Sequence, residues 1–93
     1  MRAIRGILDE HSTVTVTGSA VTGNTADVGG GIFNNGGTVL IMGGSTVVGN
    51  TADLDGGGIF KDRGTVLILG GSQVIENTPD NCFPSGYVPH CTG

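Results

Sequence analysis

The chain has 93 residues, 13% of them charged, a net charge of −4 and 19 glycines. That excludes collagen, which needs Gly at every third position, and disorder, which is poor in Val, Ile and Leu. Four basic residues (Arg2, Arg5, Lys61 and Arg63) make no stripe for nucleic acid, and no apolar run is long enough to span a membrane.

The opening segment, "MRAIRGILDEH", has an apolar stretch too short for a signal-peptide core and no small-residue cleavage site after it. Either a leader has been removed or the chain is not exported by that route. "GILDEHSTV" (Gly6 to Val14) aligns without a gap to "GIFNNGGTV" (Gly31 to Val39), so residues 1–12 read as a partial first repeat. The rival is a capping helix with Ile4, Ile7 and Leu8 on one face. Gly6 weakens a helix by about 1 kcal/mol relative to Ala, which favours a strand.

Residues 13–79 repeat themselves. "GNTADVGGGIFNNGGTVLIMGGS" (Gly23 to Ser45) returns as "GNTADLDGGGIFKDRGTVLILGGS" (Gly49 to Ser72). The series Thr13/Thr38/Thr65, Ser19/Ser45/Ser72 and Asn24/Asn50/Asn77 advance by 25 to 27 residues. Each repeat has three short runs: "TVTVT", "TVLIM" and "TVLIL"; "SAVT", "STVV" and "SQVI"; "GIL", "GIF" and "GIF". Runs of three to five residues with period-2 alternation are strands, too short for a free sheet. Stacked one turn per repeat, they form three parallel sheets around a narrow core: an all-β, short β-solenoid of about three coils. Alternation puts Val14/Val39/Val66, Val16/Ile41/Ile68, Val21/Val47/Val74 and Ile7/Ile32/Ile59 inside. Asn24, Asn50 and Asn77 fall at a corner, where inward amides would bond one another and the unpaired backbone; solvent-facing turn residues are the alternative.

Residues 80–93 form a Pro/Gly-rich tail with the only cysteines, Cys82 and Cys91. An isolated pair in such a segment suggests a disulfide that pins the terminus, against two free thiols. Zinc would need two further ligands, and His90 is the one nearby candidate. No cofactor is expected.

"STVVGNTADLDGGGIF" followed by "GTVLILGGS" resembles the repeats of right-handed parallel β-helix proteins of bacterial surfaces. These include the polymorphic outer membrane protein repeats and many secreted actinobacterial repeat proteins. "NTPDNC" is similar to how such arrays end. The resemblance covers about Gly6 to Cys82. It implies a right-handed winding, an extracellular or cell-surface location and roles in adhesins or passenger domains. It is specific for fold and unspecific for function, since pectate-lyase-type enzymes share the architecture.

A lyase of that architecture needs acidic calcium ligands and a nearby base. Asp53, Asp55, Lys61, Asp62 and Arg63 lie in one repeat, but a solvated turn explains the "KDR" run. "DLDG" (Asp53 to Gly56) resembles part of a calcium loop, and Asp27, Asp53 and Asp80 would stack at about 5 Å spacing; solvated corner carboxylates are the simpler reading. On the first sheet the outward positions are Leu40, Met42, Leu67 and Leu69, where the first repeat has Thr15 and Thr17. A contiguous apolar face on a small domain signals a partner. The expectation is a non-catalytic structural or binding module, self-associating, with a surface polysaccharide or protein as a further possible ligand. A fragment of a polysaccharide-binding or polysaccharide-degrading β-helix is the alternative. Ice binding through "TVTVT" is a weaker one, because Leu and Met replace Thr in the next repeats.

Overall fold

The computed structural model describes residues 6–93. Ile4 of the capping-helix alternative lies outside that range. The described residues contain ten strands and no helix. In chain order these are β1 (Ile7–Glu10), β2 (Thr13–Thr17), β3 (Ala20–Thr22), β4 (Thr25–Val28) and β5 (Ile32–Met42). Then follow β6 (Thr46–Val48), β7 (Thr51–Asp55), β8 (Ile59–Ile68), β9 (Gln73–Ile75) and β10 (Cys82–Phe83). Every pairing between them is parallel, and apart from the register shifts in β1–β5, β4–β7 and β5–β8 the repeats pair through equivalent residues. Thr13–Thr17 pairs with Thr38–Met42, and Thr38–Ile41 pairs with Thr65–Ile68. Val21, Val47 and Val74 line up in the same way.

There are three sheets, and their make-up differs from the sequence reading. The "GIF" and "TVLIM" runs are not separate strands. They merge into the long strands β5 and β8, which with β1, β2 and β10 form one sheet. The merger passes through register shifts at Asn34, Asn35 and Thr38. Asn34 carries the chain across them: its Oδ1 accepts from Gly37 N and its Nδ2 donates to Gly37 O and Thr65 O, at 3.0 to 3.2 Å. The remaining sheets are β3-β6-β9 and β4-β7. The last is built from "TADV" and "TADLD", which sequence reading took as corner. These segments pair because Ala26 and Ala52 are small enough to be buried against the core while Thr25 and Thr51 face out.

The core is a set of like-on-like columns. Ile32, Val39, Ile41, Val47, Ile59 and Val66 are essentially inaccessible. Ile7, Val14 and Val21 of the first repeat pack against them but are only half-buried, since they are covered from one side alone. β-branched side chains suit such columns because their restricted χ1 matches the pleat. Backbones approach closely at the corners. A Cβ on Gly57 would strike Thr78 O, so Gly is required there for space rather than for an unusual φ.

At the C-terminal end, Cys82 and Phe83 pair with Ile59 and Phe60, in the columns begun by Ile7 and Leu8. The chain then turns back. Val88, 2% exposed, closes over the core beside Cys82. A Cys82–Cys91 disulfide, with Cα atoms 6.3 Å apart, ties the two arms of the tail.

Candidate interaction surfaces

The corner asparagines form a continuous amide ladder. Asn24 donates from both its backbone N and its Nδ2 to Asn50 Oδ1, each at 3.0 Å. Asn50 does the same to Asn77 Oδ1, at 2.9 Å. Asn77 does the same to Asn81 Oδ1, at 3.0 Å. Sideways, Asn50 Nδ2 also reaches Val21 O and Asn77 Nδ2 reaches Val47 O, both at 2.9 Å. The ladder thereby satisfies backbone groups that the corner removes from strand pairing.

Asn81 escaped the sequence reading because it lies four residues from Asn77, off the repeat period. It closes the ladder by donating Nδ2 to Thr92 O at 2.8 Å, and its backbone N bonds Gly93 O. The opposite corner carries a serine column that the Ser19/Ser45/Ser72 spacing could have revealed. Ser19 N donates to Ser45 Oγ (3.2 Å) and Ser45 N to Ser72 Oγ (3.0 Å). Ser45 is fully buried and donates in turn toward Met42 O and Val16 O. Asp9 is also a buried polar side chain, 1% exposed and in register with Asn34. Its Oδ1 accepts from Ser12 N at 3.1 Å, while Oδ2 has no hydrogen-bond partner among the described residues.

The acidic candidates do not converge. Asp27 and Asp53 follow the paired Ala26 and Ala52, and a register shift between Ala26 and Val28 then sets Val28 against Asp55. Asp80 instead turns in to cap the Gly56–Gly57 corner, with Oδ1 accepting from the two backbone N–H groups at 2.6 and 3.3 Å. Among the described residues no group of three or more His, Cys, Asp or Glu is placed to hold a metal. Lys61 sits with Nζ 6.0 Å from the centroid of the Tyr87 ring, and Asp62 and Arg63 are exposed. His11 lies against Gly36, and His90 lies in the tail.

No family model, no curated protein and no solved structure matches the chain. Its surfaces therefore carry the functional argument by themselves.

On the outward face of the long sheet, Thr15, Leu40 and Leu67 form one column in register. Thr17 and Met42 begin the next, and Leu69 continues it one position beyond the last paired residue. Met42 and Leu69 are 36% and 43% exposed, and Leu40 and Leu67 are half-buried. A second outward column belongs to aromatics. Phe33, Phe60 and Phe83 stack with centroids 5.1 and 5.2 Å apart and planes 18° from parallel. These rings use their faces on one another. A notch of about 370 Å³ lies at the C-terminal end between Ile68–Ser72 and His90.

Proposed function

We propose that the chain is a non-catalytic structural module, a short right-handed β-solenoid of about three coils that self-associates through its outward Leu/Met face. The winding is supported by parallel pairing of equivalents 25 to 27 residues apart, since crossover connections between parallel strands are almost always right-handed. The resemblance of the sequence to surface and secreted β-helix repeats supports a location outside the cell. A disulfide in the tail fits an oxidising compartment.

The observation that carries self-association is the pair of columns headed by Thr15 and Thr17 and continued by Leu40, Leu67, Met42 and Leu69. Leucine and methionine on a solvent face gain about 25 cal/mol per Å² when covered, before association costs. A flat sheet face suits a second such face. A polysaccharide-handling reading has less support, because the phenylalanine rings stack on each other and do not offer their faces to sugar rings. The paired outward threonines Thr15 and Thr17, which would suit ice binding, give way to Leu and Met in the next repeats.

Sedimentation velocity of the oxidised chain tests the proposal. A dimer or small oligomer at micromolar concentration is expected, and Leu40→Lys with Leu67→Lys should return it to monomer with the strand circular dichroism unchanged. A monomer at high concentration for the unmutated chain overturns it.

A further inference from the structure

The two ends of the stacked repeats are complementary, and the tail stands between them. At the N-terminal end the outer edges of β1, β2, β3 and β4 have no strand partner among the described residues. Nor does any described residue donate to Asn24 Oδ1, although Asn50, Asn77 and Asn81 each accept two bonds at that atom. At the C-terminal end the tail builds half of a fourth layer. Cys82 and Phe83 take the places in register that Ile7 and Leu8 hold in the first repeat. Asn81 Oδ1 takes the place of the next repeat's asparagine, and Val88 covers the core.

The other half of that layer is missing. Thr65–Ile68 of β8 and all of β9 carry no further strand among the described residues. Ser72 N, which would donate to the hydroxyl of a following serine, turns back to Leu69 O instead. Each surrogate in the tail therefore mimics a residue of the first repeat, and each gap is a place that repeat would fill.

We infer that the tail from Asn81 to Gly93 is a releasable cap, and that it occupies the docking site for the first repeat of a second copy of this chain. This rests on the stacked-solenoid reading above. With the tail displaced, Ile7–Leu8 of the second copy replaces Cys82–Phe83. Thr13–Thr17 adds along Thr65–Ile68, Ala20–Thr22 adds along Gln73–Ile75, and Asn24 Oδ1 accepts from Asn77 N and Nδ2. Ser19 Oγ accepts from Ser72 N. The contact reproduces the repeat-to-repeat pairing inside the molecule. Because it is head-to-tail, it does not close and builds strings.

The latch is the Cys82–Cys91 bond. A dithiol supplies two electrons and two protons to it, leaves as its own cyclic disulfide and yields two cysteine thiols. The second arm of the tail, with Val88, is then held only by packing and by the Thr92 and Gly93 carbonyls on Asn81.

The test is light scattering on the full chain with and without dithiothreitol, with circular dichroism alongside, in a Leu40→Lys, Met42→Lys background, which removes the lateral face without touching the Thr65–Ile68 edge. The expected result is a mass that stays small when oxidised and grows with concentration when reduced, with strand signal retained. On this inference oxidised copies can dock through their first repeat but carry a capped end, so they act as chain stoppers: one in about ten should limit strings to about ten copies. Four results overturn the inference. One is a reduced, folded chain of unchanged mass. Another is growth indifferent to oxidised copies. The third is loss of strand signal on reduction, which makes the tail a staple of the fold rather than a cap. Strings that form in the unmutated chain but vanish in the lysine background also reject it, while leaving lateral association intact. A monomeric oxidised wild type with reduced strings does the reverse.

Discussion

Single polar side chains inside this protein do as much as its apolar columns. Asn50 alone accepts from Asn24 twice and donates to Val21 O and Asn77 Oδ1. Asn50→Ala leaves those groups unpaired around a side chain that is 1% exposed, and orphaned buried groups cost about 1–3 kcal/mol each. A loss of about 2–4 kcal/mol in a urea titration is expected, allowing for relaxation. Asp55→Ala, at a half-buried position beside the one-residue insertion, should cost under about 0.5 kcal/mol. Equal effects would contradict the ladder. Asp9 gives the opposite sign. Its Oδ2 is buried without a hydrogen-bond partner among the described residues, while Asn34, one repeat on, uses its amide nitrogen to bond two carbonyls. Asp9→Asn should therefore stabilise the chain by about 0.5–1.5 kcal/mol, the net worth of a hydrogen bond, read as a raised melting temperature.

At the scale of strands and corners, two glycines that look alike in sequence are needed for different reasons. Gly57 has no room for a Cβ against Thr78 O, so Gly57→Ala overpacks the corner that starts the tail and should cost about 1–3 kcal/mol. Gly44 has φ +73° and open space, so Gly44→Ala pays only the left-handed penalty, about 1–2 kcal/mol. Denaturation midpoints should separate them when each is compared with a D-alanine placed by chemical ligation, which relieves Gly44 and not Gly57. The same scale explains what was legible from sequence. The "TVLIM" and "STVV" runs announce themselves because alternation of Val and Ile with outward residues is a period-2 signal. "TADV" does not, since its inward residue is only an alanine and its neighbours are polar. The join between "GIF" and "TVLIM" is hidden because a buried Asn34 does work that no hydropathy pattern marks. Asn81 is hidden because a local turn, not the repeat, brings it onto the ladder.

Across the whole molecule, protection is graded along the stack. The second repeat is covered above and below, so Ile32, Val39, Ile41 and Val47 are sealed. The first is covered from one side, and Ile7, Val14 and Val21 are half-exposed to match. The third is sealed by the tail over part of its cross-section only, through Val88 and the Cys82 arm. Stability in such stacks is a sum of nearest-neighbour terms, so local opening need not involve every repeat. Amide hydrogen exchange should then be slowest in residues 32–52, faster in 7–28, and intermediate in 59–77 while the disulfide is intact. Closing a loop of about ten residues is worth roughly 2–3 kcal/mol in the unfolded-chain account. Here much of that sum acts on the tail and the third repeat, because the bridged segment pairs with β8 and stacks on Phe60. Reduction should accordingly speed exchange at Ile59, Val66 and Val74 by one to two decades, about 1.4 kcal/mol per decade, while Val39 and Val47 keep their rates. Equal acceleration at all five amides would mean that the repeats open as one unit, and that the tail holds the fold together rather than guarding one end of it.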